Sequence, residues 1–166
     1  MEIREALPDE FETLGRITVE AYRQLQGGVP LGAYEDNLLD VAGRAADSVV
    51  LVAVDDDGEM LGGVTYVPDS TRDMSEFEDP EAAGVRMLAV RPDRQGAGVG
   101  RALTEACIAR ARADGRRRVL LHSTAIMEVA RAMYGRMGFE EAPDLDAWVT
   151  GPSGGPLRLI AFRLPL

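Results

Sequence analysis

Long apolar runs are missing from these 166 residues. The longest candidate, Val49 to Val54, falls far short of the ~20 residues that a membrane-spanning helix needs, so no membrane partner is expected. The opening residues, Met1-Glu2-Ile3-Arg4-Glu5, are charged and hold no apolar h-region of a secretory signal. Cysteine occurs once, at Cys107, which excludes an internal disulfide and makes a reducing cytoplasm the expected location. Histidine also occurs once, which excludes a multi-histidine metal site; no metal is expected. Positive charge is scarce: 18 basic against 28 acidic residues leave a formal charge of −10. That field repels phosphate backbones, so nucleic acid is not expected as a partner. It favours a cationic partner such as an amine, although acidity also serves solubility alone.

What is present reads as one folded domain over residues 1–166, with no repeat and no linker. Glu2 to Leu7 reads as a strand stopped at Pro8-Asp9, and Asp9 opens a helix that fades before Gly27-Gly28. A second helix is expected from Tyr34 to about Ala46. A hairpin follows: Ser48 to Val54, turn chemistry at Asp55-Asp56-Asp57-Gly58, and a return from Met60 to Val67. Gly62 and Gly63 inside the return strand point to a bulge or a close neighbour. Residues 68 to 83 read as a polar loop whose acidic side chains are expected to be solvated. Strands at Gly84–Val90 and Arg118–His122 then alternate with helices at Val99–Ala113 and Met127–Met137, and strands close the chain at Phe139, Ala147–Thr150 and Leu157–Leu164. This order predicts an α/β (α+β) fold with a mixed sheet and helices on its faces.

The informative segment is Arg94-Gln95-Gly96-Ala97-Gly98-Val99-Gly100-Arg101, after a strand and at the start of a helix. Alternating glycines leave backbone N–H groups uncovered, and the helix adds unpaired N–H groups and the positive end of its dipole. Arg94 and Arg101 supply whole charges. Such a turn is a pyrophosphate cradle. Arg101-Ala102 lacks the Lys-Ser/Thr of a Walker loop. The glycine spacing also fails the dinucleotide fingerprint, and the next strand ends in His122-Ser123, with no acid for a ribose.

Gln95, Gly98 and Gly100 match Q/R-x-x-G-x-G/A, and Ala130, Tyr134, Gly138 and Phe139 match A-x-x-x-Y-x-x-x-G-F. Between about residues 84 and 140 the chain resembles the GCN5-related N-acetyltransferase (GNAT) superfamily. The resemblance implies a mostly antiparallel sheet of six to seven strands with one splayed parallel pair, flanked by about four helices. It implies acetyl-CoA (coenzyme A) as cofactor, with pantetheine paired to Leu88 and Val90 and pyrophosphate held by Arg94, Gln95, Gly96, Ala97, Gly98, Val99, Gly100 and Arg101. The Leu88 amide would face the thioester oxygen, and Tyr134 would protonate the departing thiolate. Acetyl would pass directly to an amine of a small molecule or peptide within a ternary complex.

Two departures from the family pattern stand out. Gly84 occupies the position where many members carry a glutamate base, which makes Glu81 the candidate substitute. Met127 stands where many carry an asparagine near pantetheine, so Ser123 and Thr124 become the candidate polar contacts. These departures keep open a rival reading, a catalytically inactive CoA-binding sensor. His122 reads as a satisfied structural histidine or a proton relay, Cys107 as a small core residue, and Trp148 and Phe139 as packing residues. The acceptor is expected between the first two helices and the last hairpin, around Tyr22, Tyr34, the acidic loop and Trp148. The C-terminal strands leave room for a homodimer.

Overall fold

The computed structural model describes residues 1–166. The sheet has eight strands, the central ones runs of β-branched and small apolar residues: β1 (Glu2–Glu5), β2 (Val49–Val54), β3 (Met60–Val67), β4 (Ala82–Val90), β5 (Arg118–Ser123), β6 (Glu140–Glu141), β7 (Ala147–Thr150) and β8 (Pro156–Pro165). The main sheet runs β1-β2-β3-β4-β5-β8-β6, and β7 pairs with the outer half of β8. Every pairing is antiparallel except β4 with β5. β3 is buried along its whole length, as a strand covered on both faces must be.

Five α-helices cover the sheet: α1 (Phe11–Leu25), α2 (Tyr34–Leu39), α3 (Val41–Asp47), α4 (Val99–Ala113) and α5 (Glu128–Arg136). On one face, α4 inserts Val99, Leu103, Cys107 and Ala111, four apart and therefore on one stripe, against Val64, Tyr66, Val85 and Leu121. On the other face, Leu14 and Ile17 of α1 and Val41 of α3 pack on Val50, Val52 and Val54. Leu103 is wholly buried, and truncating such a leucine to alanine typically costs about 2–5 kcal/mol.

The single helix expected from Tyr34 to Ala46 is two. Asp40 leaves helical geometry with ψ 63°, and its carboxylate caps α3 by accepting the Gly43 N–H at 2.9 Å. The glycines of β3 mark close neighbours. A Cβ on Gly62 would lie 2.3 Å from the Ala89 carbonyl oxygen, and one on Gly63 would lie 2.6 Å from Leu14 Cδ1. Trp148 is not a packing residue: it stands 67% exposed on β7.

Two irregularities shape the centre. β4 and β5 pair only from Ala82–Arg118 to Val85–Leu121. Beyond Val85 and Leu121 the strands part, so the β5-facing edge of Arg86–Val90 has no strand beside it. Directly after the fork, β4 carries two residues, Met87 and Leu88, opposite the single Val64 of β3. Met87 takes φ +51°, the only positive value outside glycine. A bulge bends its strand and increases local twist, which directs β4 away from β5.

Candidate active site

The glycine-rich turn links the open end of β4 to α4. Gly98 is the N-cap of α4 at φ +82°, a conformation that strains any residue with a Cβ. From Gln95 through Arg101, no backbone N–H donates to an acceptor within the protein. Seven consecutive unpartnered donors beside a helix N-terminus form an anion cradle. The space over it is open, since a Cβ built on Gly96 or Gly98 meets no atom within 4 Å. Arg94 and Arg101 flank the turn, partly exposed, each near a carboxylate (Glu59 and Glu105). Val99 is buried and anchors the turn in the core, while the Gln95 amide reaches Gln24 of α1 at 3.3 Å.

The same turn meets the other motif residues. Gly100 faces the side chains of Leu88 and Val90 on β4 and Met133 on α5, all just under 4 Å from where its Cβ would lie. Tyr134 follows Met133 and is 5% exposed, with its ring 5.6 Å from Phe139 and 6.0 Å from Phe162. Its hydroxyl makes no hydrogen bond within the protein yet retains some accessible surface. Burial pushes its pKa well above the ordinary tyrosine value, so it stays a phenol. Cys107, wholly buried, has its thiol pushed up to about 12 by desolvation, which leaves it a core residue rather than a nucleophile.

Glu81 is not brought to this site. It precedes β4 at the paired end, held by Arg117 at 3.0 Å and Arg118 at 2.8 Å. Seven residues of strand, roughly 20 Å, separate it from Leu88. Neither does Gly84 hide a place for a base, since a Cβ there would press on Val67 Cβ at 3.3 Å.

A different carboxylate occupies the fork. Arg86 is the first β4 residue beyond the last β4–β5 pair, and His122 is the first on β5. Both bind Glu76, through Arg86 Nε at 2.9 Å and His122 Nδ1 at 3.2 Å. The acidic loop is therefore folded across the fork rather than solvated. Phe77 stacks on the His122 ring at 4.5 Å, and Met74 packs beside Met87. His122 Nε2 lies 3.1 Å from the Leu145 carbonyl. With an acceptor at each nitrogen, the doubly protonated ring is the form that satisfies both contacts. Burial alone would lower its pKa, but the bonds to Glu76 and Leu145 outweigh burial and raise it. Burial would raise that of Glu76, and the His122 and Arg86 contacts outweigh it and lower it. Composition and spacing gave no signal for Glu76, because only the loop's path puts it there.

Tyr22 and Tyr34 stand close on the same side, with ring centroids 6.4 Å apart. Thr124, just past the end of β5, has a buried hydroxyl without any partner, while Ser123 Oγ finds only Met127 Sδ at 3.5 Å. A surface hollow of about 760 Å³ runs along α1 between Arg16, Arg23 and Pro92, and it includes Gln24, the partner of Gln95.

A forked parallel strand pair with a run of unpartnered amides at its mouth and a buried phenol nearby is the arrangement that the sequence resemblance implies. The chain belongs to the acetyltransferase (GNAT) family, whose pattern matches residues 5–139. A mycothiol acetyltransferase of Cellulomonas flavigena is 35% identical over 101 residues, 60% of this chain but 29% of that protein, so the likeness spans under a third of the relative's length. Among solved structures, the ribosomal-protein-alanine N-acetyltransferase of Brucella melitensis superposes with TM-score 0.75 over 100% of both chains at 23% identity. The phosphinothricin acetyltransferase of Sinorhizobium meliloti, solved in complex with acetyl-CoA, gives TM-score 0.72 over 99% of this chain and 88% of its own at 18% identity. No helix is long and apolar enough to cross a membrane.

Proposed function

We propose that residues 1–166 form one acetyltransferase domain that moves an acetyl group from acetyl-CoA directly to a primary amine. The observation that carries this is the run of unpartnered amides, Gln95 to Arg101, at the mouth of the β4–β5 fork. The fit to coenzyme A rests on three features: that cradle, the free edge of Arg86–Val90, and the orphaned Thr124 hydroxyl. Acetyl-CoA supplies an activated acyl carbon: the C–N bond forms as C–S breaks, and one proton passes from nitrogen to sulfur overall.

The chain's own residues have separable tasks. The Gln95–Arg101 amides and the α4 dipole hold the pyrophosphate, with Arg94 and Arg101 adding charge. Leu88 and Val90 pair with the pantetheine amides, and the Leu88 N–H faces the thioester oxygen. Tyr134 donates the proton that sulfur takes. Glu81 is held away from the fork and Glu76 is taken up by Arg86 and His122, so the ammonium gives its second proton to water without a dedicated carboxylate base. A reducing cytoplasm suits the single buried thiol. A small-molecule acceptor agrees with the mycothiol relative, and pairing of two copies along the exposed β7 edge would give a homodimer, which light scattering would detect.

The test follows thiol release from acetyl-CoA across a panel of amines. Amine-dependent release in the native protein, lost in Gly98→Glu, is the expected result. Cofactor binding without release for any amine would instead favour the inactive sensor.

A further inference from the structure

Arg44 is the exception among the cations of this molecule. All its basic residues are arginines, and each lies within 4 Å of a carboxylate except Arg44, Arg112 and Arg136. Arg112 and Arg136 are exposed, whereas Arg44 is 4% exposed. Its five N–H donors find one ordinary acceptor, the Leu38 carbonyl at 3.2 Å. Nη1 faces the Met87 thioether at 2.6 Å, and Nε has no partner. The Asp40 carboxylate, one turn earlier on the chain, is turned to the Gly43 N–H instead. In a chain with ten more acids than bases, an unpaired buried cation is not explained by a shortage of anions.

A desolvated guanidinium without a paired carboxylate is costly to keep, whereas an apolar side chain of its size would fill the same volume without that cost. Its location gives it a purpose. Met87, which it touches, is the bulged residue next to Leu88, the residue proposed to face the thioester. Burial acts most on its charge, and the phenols of Tyr22 and Tyr34, the guanidinium of Arg86 and, more weakly, the Asp40 carboxylate are the other groups close enough to act on it. Arg44 therefore stands against the β4 bulge on the side packed by α2, with Tyr22 also packed against the cluster that holds Met87.

We infer that Arg44 is the anion-binding residue of the acceptor site, so the acceptor is a small amine that also carries an oxyanion, such as a carboxylate. The inference rests on the acetyl-transfer reading above. Arg44 and the two phenols hold the oxyanion, which leaves the amine free to turn to the thioester. The net charge of −10 repels the anionic end, which makes a dedicated buried cation necessary to select it.

The test compares L-α-amino acids, their carboxamides and aminoalkylphosphonates as acceptors for native protein, Arg44→Met and Arg44→Lys. The native protein should prefer acids over amides by at least roughly tenfold in kcat/KM, the scale of one charge-assisted contact. Arg44→Met should bring that ratio near unity with Tm unchanged or raised, and Arg44→Lys should restore part of it. Phosphonates surpassing carboxylates would identify the oxyanion as tetrahedral, within the same inference. Amides equal to acids in the native protein, or a preference that survives Arg44→Met, would overturn it while leaving acetyl transfer intact. A purely structural arginine would instead lower Tm on substitution and leave the ratio untouched. Failure of acetyl-CoA to raise Tm would mark failure of the underlying reading, and this inference with it.

Discussion

At the scale of single residues, the clearest case is Tyr134. Its ring is core and its hydroxyl has no hydrogen-bond partner in the protein. Removing that oxygen leaves no partner unsatisfied, so Tyr134→Phe should move stability by less than about 0.5 kcal/mol. If the hydroxyl protonates the thiolate, kcat should fall about 10²-fold or more. Kinetics and thermal unfolding on one preparation separate these outcomes; equal Tm with unchanged kcat would remove Tyr134 from the chemistry. Burial holds this phenol above its ordinary pKa of 10.0, so its deprotonation should cause no fall in kcat between pH 7 and 9.

Among elements, the long loop between β3 and β4 matters most. Glu76 joins it to β4 through Arg86 and to β5 through His122, and His122 in turn holds the Leu145 carbonyl ahead of β7. His122 has a raised folded pKa, so its contribution is complete below about 6.5 and is lost as pH rises through the raised value. Glu76 has a lowered folded pKa, so its contribution is complete above about 4.5 and is lost as pH falls through the lowered value. Both hold between about pH 4.5 and 6.5. Thermal unfolding against pH should therefore show native stability declining above that window through the raised His122 value. The decline should be smaller in His122→Gln; an identical pH profile in that variant would show that this contact does not tie the loop down.

The whole molecule is two sheet halves, β1–β4 and β5–β8, joined by four residue pairs at Ala82–Val85 and Arg118–Leu121. A ligand lying in the fork touches both halves and binds only when they are assembled. Acetyl-CoA at 100 times its Kd should thus add about 2.7 kcal/mol. For a domain of this size that is a Tm rise of about 5–11 °C. Gly98→Glu should abolish it, because the new side chain strains φ +82° and lies over the amides. An equal rise in the variant would place the ligand somewhere other than the cradle. The chain contains no lysine, so an acetylation assay carries no background from its own lysine side chains.

The sequence by itself determined those features that local chemistry encodes. The glycine turn was legible as a run of uncovered amides because alternating glycines place no side chains over them, and α4 was legible to the residue because its apolar stripe and flanking Gly98 and Gly115 are local signals. Tyr134 was legible through its spacing to Gly138 and Phe139 on one short helix and turn. Tertiary structure alone decided what depends on chain segments meeting. Asp40 broke one periodic helix into two by capping, which periodicity cannot register. Glu81 looked suitable because it stands three residues from Gly84, but a strand carries those residues away from the fork and its ion pairs fix it there. Glu76, forty-six residues from His122, reached the fork because an irregular loop folds back over it. Arg44 became exceptional only when the sheet and three helices closed around it, since a missing counter-ion has no signature in a sequence rich in carboxylates.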